Sequence, residues 1–136
     1  MNSFPLKIVT PDGLKYDAPA EELIVRTTTG DIGIMAGHVN CVAPLGMGQA
    51  MVLAEGKRRY AACIGGMVSV VHGAVTLVPT TFEWAEEIDV QRAAASQERA
   101  QGILKDKSST DTDLRLAEAR LKRALVRSSV AKNKSM

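Results

Sequence analysis

The sequence predicts an α+β fold: an N-terminal antiparallel β-sandwich, in effect a flattened barrel, followed by a C-terminal antiparallel hairpin of two helices. Three observations carry this. Ten of the eleven glycines and all five prolines lie before Ile88. The stretch before that point reads as short alternating strands divided by turn residues. The stretch after it is rich in Ala, Arg, Lys, Gln and Leu, and only Gly102 interrupts its helical character. We therefore divide the chain into a sandwich domain, 1–87, and a helical domain, 88–136. A chain of 136 residues has room for one core of roughly 85 residues plus an appendage too thin to build its own. The tail must borrow stability from whatever it rests on.

Leu6-Lys7-Ile8-Val9-Thr10 alternates and ends in the turn Pro11-Asp12-Gly13, and Leu23-Ile24-Val25-Arg26-Thr27 forms a second strand. Two strands so close are expected to pair antiparallel. Gly30, Gly33 and Gly37 punctuate Asp31-Ile32-Gly33-Ile34-Met35, which reads as a tight loop or bulge. Gln49-Ala50-Met51-Val52-Leu53, turned by Glu55-Gly56 into Arg59-Tyr60-Ala61-Ala62-Cys63-Ile64, reads as a hairpin. Gly65-Gly66 opens a further strand, Met67-Val68-Ser69-Val70-Val71. His72-Gly73 turns it into Ala74-Val75-Thr76-Leu77-Val78. Turns every eight to twelve residues leave no space for crossover helices, which favours a flattened barrel or sandwich over a parallel sheet.

The first helix is expected to start at Asp89, whose short acceptor side chain satisfies free N–H groups, with Ile88 stapling onto Ala93. It should run to about Lys105. Lys107-Ser108-Ser109-Thr110 is too polar to continue it, and Asp111 to about Ser128 forms a second helix of roughly 27 Å at 1.5 Å per residue. The short turn makes the two antiparallel. Ala93, Ala100, Ile103 and Leu104 form the apolar stripe of the first helix; Leu114, Ala117, Leu121, Ala124 and Leu125 form that of the second. Both are narrow. Each alanine methyl contributes on the order of 0.8 kcal/mol, so contacts within the hairpin just balance the entropy of ordering it.

Charge divides along the same line. Residues 1–87 carry six Lys/Arg against nine Asp/Glu, and residues 88–136 carry eleven against six. From Arg115 onward seven basic residues face only Glu118, so the end of the tail is drawn to an acidic surface. The first residues have no basic start with an apolar run behind it, and no apolar stretch approaches the ~20 residues needed to span a bilayer. Cys41 and Cys63 read as reduced core residues. His38, Cys41, Cys63 and His72 are spaced too irregularly for a usual zinc site. No nucleophile and base stand together, and neither a Gly-x-x-x-x-Gly-Lys loop nor a dinucleotide fingerprint is present. With so few aromatic residues the sandwich offers no stacking platform for single-stranded nucleic acid.

Asp89, Arg92, Ser96 and Arg99 share a stripe that overlaps the apolar face of the first helix. Two guanidinium groups there call for an anion; equally, Asp89 caps the helix and Arg92 pairs with it or with Glu98. Arg120, Arg123 and Arg127 form a row away from Leu114 and Leu121, which reads as a solvated face.

Four segments resemble the epsilon-subunit family of bacterial and chloroplast rotary ATP synthases. They are Gly30-Asp31-Ile32-Gly33-Ile34-Met35-Ala36-Gly37-His38, Ile64-Gly65-Gly66-Met67-Val68-Ser69-Val70, Ile88-Asp89-Val90-Gln91-Arg92-Ala93 and Leu121-Lys122-Arg123-Ala124-Leu125-Val126-Arg127-Ser128-Ser129-Val130. The third resembles the family's Ile/Leu-Asp-x-x-Arg-Ala nucleotide motif, which occurs in members of very different affinity. Ala36 stands where many members have Pro, and Val39-Asn40 replaces a Pro-containing pair.

The resemblance implies a non-catalytic subunit of the central stalk, with no required cofactor and no metal. Its sandwich would lie against the gamma subunit, and the loop around Asp31 and His38 near the ring of c subunits. Membrane association would be indirect, through the complex. The expected place is the cytoplasmic face of a bacterial inner membrane, or the stromal face of a thylakoid if the chain is plastid-encoded. ATP enters as a regulatory ligand held without hydrolysis by Glu83, Ile88, Asp89, Arg92, Arg99, Arg123 and Arg127. When extended, the tail would bring Arg120, Lys122, Arg123 and Arg127 to acidic segments of the catalytic alpha and beta subunits. The alternative from another class is a free-standing β module whose basic tail grips nucleic acid or an anionic membrane.

Overall fold

The computed structural model describes residues 2–133. Met1 and the end of the predicted helical domain, 134–136 with Lys134 of its basic run, lie outside the described residues. Eight strands come first: β1 (Phe4–Thr10), β2 (Gly13–Ala20), β3 (Glu22–Thr27), β4 (Gly30–Met35), β5 (Cys41–Pro44), β6 (Met47–Ala54), β7 (Lys57–Val71) and β8 (Ala74–Trp84). One turn of 3-10 helix, Ala85–Glu87, leads into α1 (Val90–Lys105) and α2 (Asp111–Ala131).

The strands follow the order β2-β1-β8-β7-β6-β3-β4, with β5 beside β7. The terminal strands β2 and β4 do not pair with each other, so the sheet stays open and its two layers form a sandwich. Alternation sets which side chains fill it. In β1, Phe4, Leu6 and Ile8 point inward and Pro5 and Lys7 outward; Leu23, Val25, Ile34, Val52, Val68, Val70 and Leu77 complete a dry centre from the other strands. Thr10 and Thr27 are the buried polar residues, and each hydroxyl closes a turn by donating to the carbonyl of Gly13 (3.2 Å) or Gly30 (2.7 Å).

Several strand expectations need correction. The segment Leu23–Thr27 does not pair with Leu6–Thr10: β1 pairs with β2, while β3 lies between β4 and β6. The sheet also holds one parallel contact, β1 beside β8, made across the layer and not by a crossover unit. Gly30 and Gly33 belong to a regular strand, β4, and only Gly37 lies in the following turn. The strand thought to open at Gly65-Gly66 is the second half of β7, which is 15 residues long. Its first half pairs with β6, and its second half, from Met67 to Val70, pairs with β5. At the change of partner Gly65 and Gly66 have φ of 67° and 96°. A Cβ on Gly66 would stand 2.0 Å from the Val78 carbonyl oxygen, so this bend requires glycine.

α1 starts where expected: the Asp89 carboxylate accepts the Arg92 N–H at 3.0 Å. Thr110 caps α2 through a reciprocal pair with Asp113. Ala93 and Ala100 on α1 and Ala117 and Ala124 on α2 are buried, with Ile103, Leu104, Leu114 and Leu121 half-buried, which is the narrow alanine seam of the hairpin. Leu125 does not join it and is 45% exposed. Ile88 does not staple onto Ala93 either. It packs with Ala62, Ala85, Val130 and Ala131, the cluster by which the end of α2 rests on the sandwich. The hairpin therefore lies folded back on β6 and β7 through the last turns of α2, with Asn133 donating to Gln49 at 2.6 Å.

Candidate functional site

The docked hairpin leaves a cleft of about 550 Å³ between the end of β8, the β1–β2 turn and the two helices. Pairing along the sheet brings Asp12 and Lys15 to it from far in sequence, and alternation in β8 points Thr81 and Glu83 toward it from positions two apart. α1 contributes Arg92, Ser96 and Arg99, spaced by four and three residues and so on one face. α2 contributes Arg120, Arg123 and Arg127 with the mirror spacing, because it runs antiparallel.

Electrostatics differ between the two ends of this cleft. At the sandwich end Arg127 donates to Glu83 at 2.5 Å and Lys15 pairs with Glu87 at 3.6 Å. Glu87 also accepts the Trp84 N–H at 2.9 Å, so the 3-10 turn is tied to β8 by this bond and to β2 by Lys15. The Asp89 carboxylate serves as helix cap and makes no ion pair with Arg92; nor does Glu98. Among the described residues Arg92, Arg99, Arg120 and Arg123 have no carboxylate partner. The cleft thus has an acidic, internally paired end against the sandwich and an uncompensated cationic end between the helices. Phe82 and Ala93 are its apolar lining. Such an arrangement suits a ligand with hydrogen-bond donors at one end and several anionic groups at the other.

Six of the seven residues expected around ATP line this cleft: Glu83, Asp89, Arg92, Arg99, Arg123 and Arg127. Ile88 does not, its side chain being buried in the docking cluster. Arg120, Arg123 and Arg127 do not form a solvated row; all three turn toward the cleft. Leu114 and Leu121 mark one inner direction of α2, whereas this helix has two inner neighbours, α1 and the sandwich. Asp12, Lys15, Glu87 and Arg120 were not anticipated in this role, whereas Ser96 was expected on the same stripe as Arg92 and Arg99. Only the parallel pairing of β1 with β8, which carries the β1–β2 turn to the end of β8, could have signalled Asp12 and Lys15.

Asp31 and His38 sit elsewhere, in β4 and the turn that follows it. Asp31 pairs with Arg26 at 2.6 Å, a hydrogen bond that holds the Arg26 guanidinium above its ordinary pKa. His38 Nδ1 donates to the Val39 carbonyl at 2.8 Å and lies 4.0 Å from Cys41 Sγ. Lys122 is exposed on α2 outside the cleft. Among the described residues no three His, Cys, Asp or Glu side chains gather as metal ligands, and no helix is long and apolar enough to cross a membrane.

Residues 3–85 match the family model described as ATP synthase, Delta/Epsilon chain, beta-sandwich domain, and residues 86–132 match ATP synthase, Delta/Epsilon chain, long alpha-helix domain. The chain is 44% identical over 133 residues to the ATP synthase epsilon chain of Bacillus velezensis, covering 98% of this chain and all of the relative. It is 40% identical over 135 residues to that of Ruminococcus albus, covering 98% and 100%. Among solved structures it resembles a chain of the Euglena gracilis mitochondrial ATP synthase OSCP/F1/c-ring assembly. There the TM-score is 0.82 at 25% identity, over 93% of this chain and 80% of that one.

Proposed function

The chain belongs to the ATP synthase delta/epsilon family, as a non-catalytic subunit of that complex, and from this premise we propose that its helical hairpin is a regulatory arm of the central stalk, held folded by ATP. The observation that carries the reading is the polarised cleft, where Arg92, Arg99, Arg120 and Arg123 stand unpaired between helices while Glu83 and Asp89 line the end nearer the sandwich. A nucleotide matches it from end to end. Its phosphates neutralise the guanidinium groups, and its amino and hydroxyl donors meet Glu83, Asp89 and the backbone near Ile88. In this reading ATP is held and not cleaved, since Glu83, Glu87 and Asp89 are engaged by Arg127, Lys15 and the Arg92 N–H.

Because α1 and α2 both contribute cations, ligand release leaves like charges facing each other across a thin alanine seam. The arm then exchanges its docking on β6 and β7 for an extended position, in which Arg120, Lys122, Arg123 and Arg127 meet acidic segments of the catalytic alpha and beta subunits and oppose ATP-driven rotation. At a hundredfold excess over the dissociation constant, ATP stabilises the folded arm by ~2.7 kcal/mol, enough to reverse its majority state. The sandwich faces gamma, and the turn bearing Asp31 and His38 meets the c-ring. The complex holds the chain peripherally at the cytoplasmic side of a bacterial membrane, or at the stromal side of a thylakoid.

Titration of the chain with ATP tests the site. The Arg92→Ala, Arg99→Ala double variant should lose at least about tenfold in affinity, given that each charge-assisted contact contributes roughly 1.5 kcal/mol or more. Equal affinities would remove the nucleotide from this account. Deleting residues 88–136 and assaying ATP hydrolysis by the reassembled complex tests the brake separately; unchanged hydrolysis would refute it.

A further inference from the structure

The sandwich carries a recess of about 480 Å³ that shares no residue with the cleft between the helices. It lies on the outer face of the layer β8-β7-β6-β3-β4, where the end of α2 rests on β7 and β6 and the recess extends beyond it over β3 and β4. A helix about 10 Å across spans two strands at a spacing of ~4.8 Å, so one docked helix leaves room on this face. Register builds the recess. Ile24, Met51 and Tyr60 stand opposite one another on three neighbouring strands and form its apolar floor, while Gly33, opposite Ile24, adds no side chain. In the next row of the same face Glu22, Leu53 and Arg58 are aligned in the same way, with Glu22 and Arg58 as the two walls. Two strand spacings set these walls about 10 Å apart, and among the described residues neither Glu22 nor Arg58 is in an ion pair. Arg26 and Asp31, at the other end, satisfy each other.

We propose that this recess binds a small amphoteric molecule, with an ammonium or guanidinium group and a carboxylate roughly 7 Å apart on an apolar chain, and that its occupancy steadies the docked arm. The cationic end meets Glu22, the carboxylate meets Arg58, and the chain between them covers Met51 and Tyr60. A simple anion satisfies Arg58 alone and a simple amine Glu22 alone; only a ligand with both ends neutralises both walls. The link to the arm runs through two side chains. Gln49 lines the recess and accepts a hydrogen bond from the Asn133 amide at 2.6 Å, and Tyr60 lines it while packing on the cluster that holds Val130 and Ala131. A ligand that fixes both favours the docked position by its differential affinity for that state. Glu22 is half-buried and Arg58 exposed, so water and salt screen the contacts. For a ligand of about nine non-hydrogen atoms the dissociation constant is on the order of 1 mM.

Titration of the full chain with ε-aminocaproate at low salt, followed through amide chemical shifts, tests the site, with caproate and hexylamine as single-ended controls. The expected result is saturable shifts confined to residues 22–26, 49–53 and 58–62, with both controls at least about tenfold weaker. Glu22→Gln and Arg58→Gln should each weaken ε-aminocaproate by about tenfold, and unchanged shifts elsewhere verify that the sandwich is retained. Lys57→Gln, which removes a neighbouring cation outside the recess, should leave binding unchanged. At saturation, amides of residues 126–131 should exchange about threefold more slowly. The absence of saturable shifts, equal binding of the single-ended compounds, or indifference to both wall variants overturns the site. Binding that leaves exchange in α2 unchanged overturns its link to the arm.

Discussion

Replacing Glu83 with Gln removes the charge of the ion pair that joins β8 to α2 while keeping its shape. The two side chains meet at 2.5 Å and are 30% (Glu83) and 27% (Arg127) exposed. A desolvated charge-assisted hydrogen bond contributes roughly 1.5–3 kcal/mol and a fully exposed pair about 0–1. This intermediate site should therefore contribute about 1–2 kcal/mol to holding the hairpin down. That is comparable with the burial of Val130, on the order of 1.5 kcal/mol, in the small cluster where α2 meets the sandwich. Amide hydrogen exchange reads the effect locally. In the absence of nucleotide, amides of residues 126–131 in Glu83→Gln should exchange about tenfold faster, while those of β7 and β8 keep their rates. Arg127→Gln should do the same, and the double variant should add little. Unchanged exchange in α2 would refute the reasoning, and equal acceleration in β7 and β8 would show that the pair supports the sandwich instead.

Four further outcomes follow from the fold. Gly66→Ala places a methyl 2.0 Å from the Val78 oxygen at a φ of 96°; it should cost at least about 2 kcal/mol, or roughly 10 °C in thermal unfolding of a domain this size. Burial pushes the Cys63 thiol up to about 12, so at pH 8 an alkylating reagent should modify half-buried Cys41 and spare Cys63 until the chain unfolds. The folded thiol keeps its proton above pH 9 while the unfolded one loses it, so this group lowers stability progressively between pH 9 and pH 12, which denaturant titration measures. Leu125→Ala, at a position 45% exposed, should change stability by no more than about 0.5 kcal/mol.

Most of the fold was legible because its signals are local. Alternation placed the long strands, and the pairs Glu55-Gly56 and His72-Gly73, both with positive φ, turn their hairpins as read. Asp89 marked the start of α1. What escaped was weakly written or relational. β2 is an edge strand with Pro19 and Asp17 and little alternation in burial, and β5 has only four residues. Proximity in sequence suggested pairing β1 with β3, but the intervening β2 satisfies β1 first. In the site, Glu83, Asp89, Arg92 and Arg99 followed from the family resemblance, while Asp12 and Glu87 did not. The direction of Arg120, Arg123 and Arg127 depended on how α2 docks, which no single-helix pattern contains. Ile88 shows the converse: a residue inside the nucleotide motif whose side chain is spent on docking.

The central claim is that one anion-binding cleft couples two marginal helices to a stable sandwich. Hydrogen exchange on the full chain, with and without ATP at a hundredfold excess over its dissociation constant, tests it most directly. Amides of α1 and α2 should slow by about a hundredfold, the equivalent of ~2.7 kcal/mol, while the sandwich core is unaffected. Helices that exchange as slowly as β7 and β8 without nucleotide, and no more slowly with it, would contradict the account and leave the hairpin a fixed spacer.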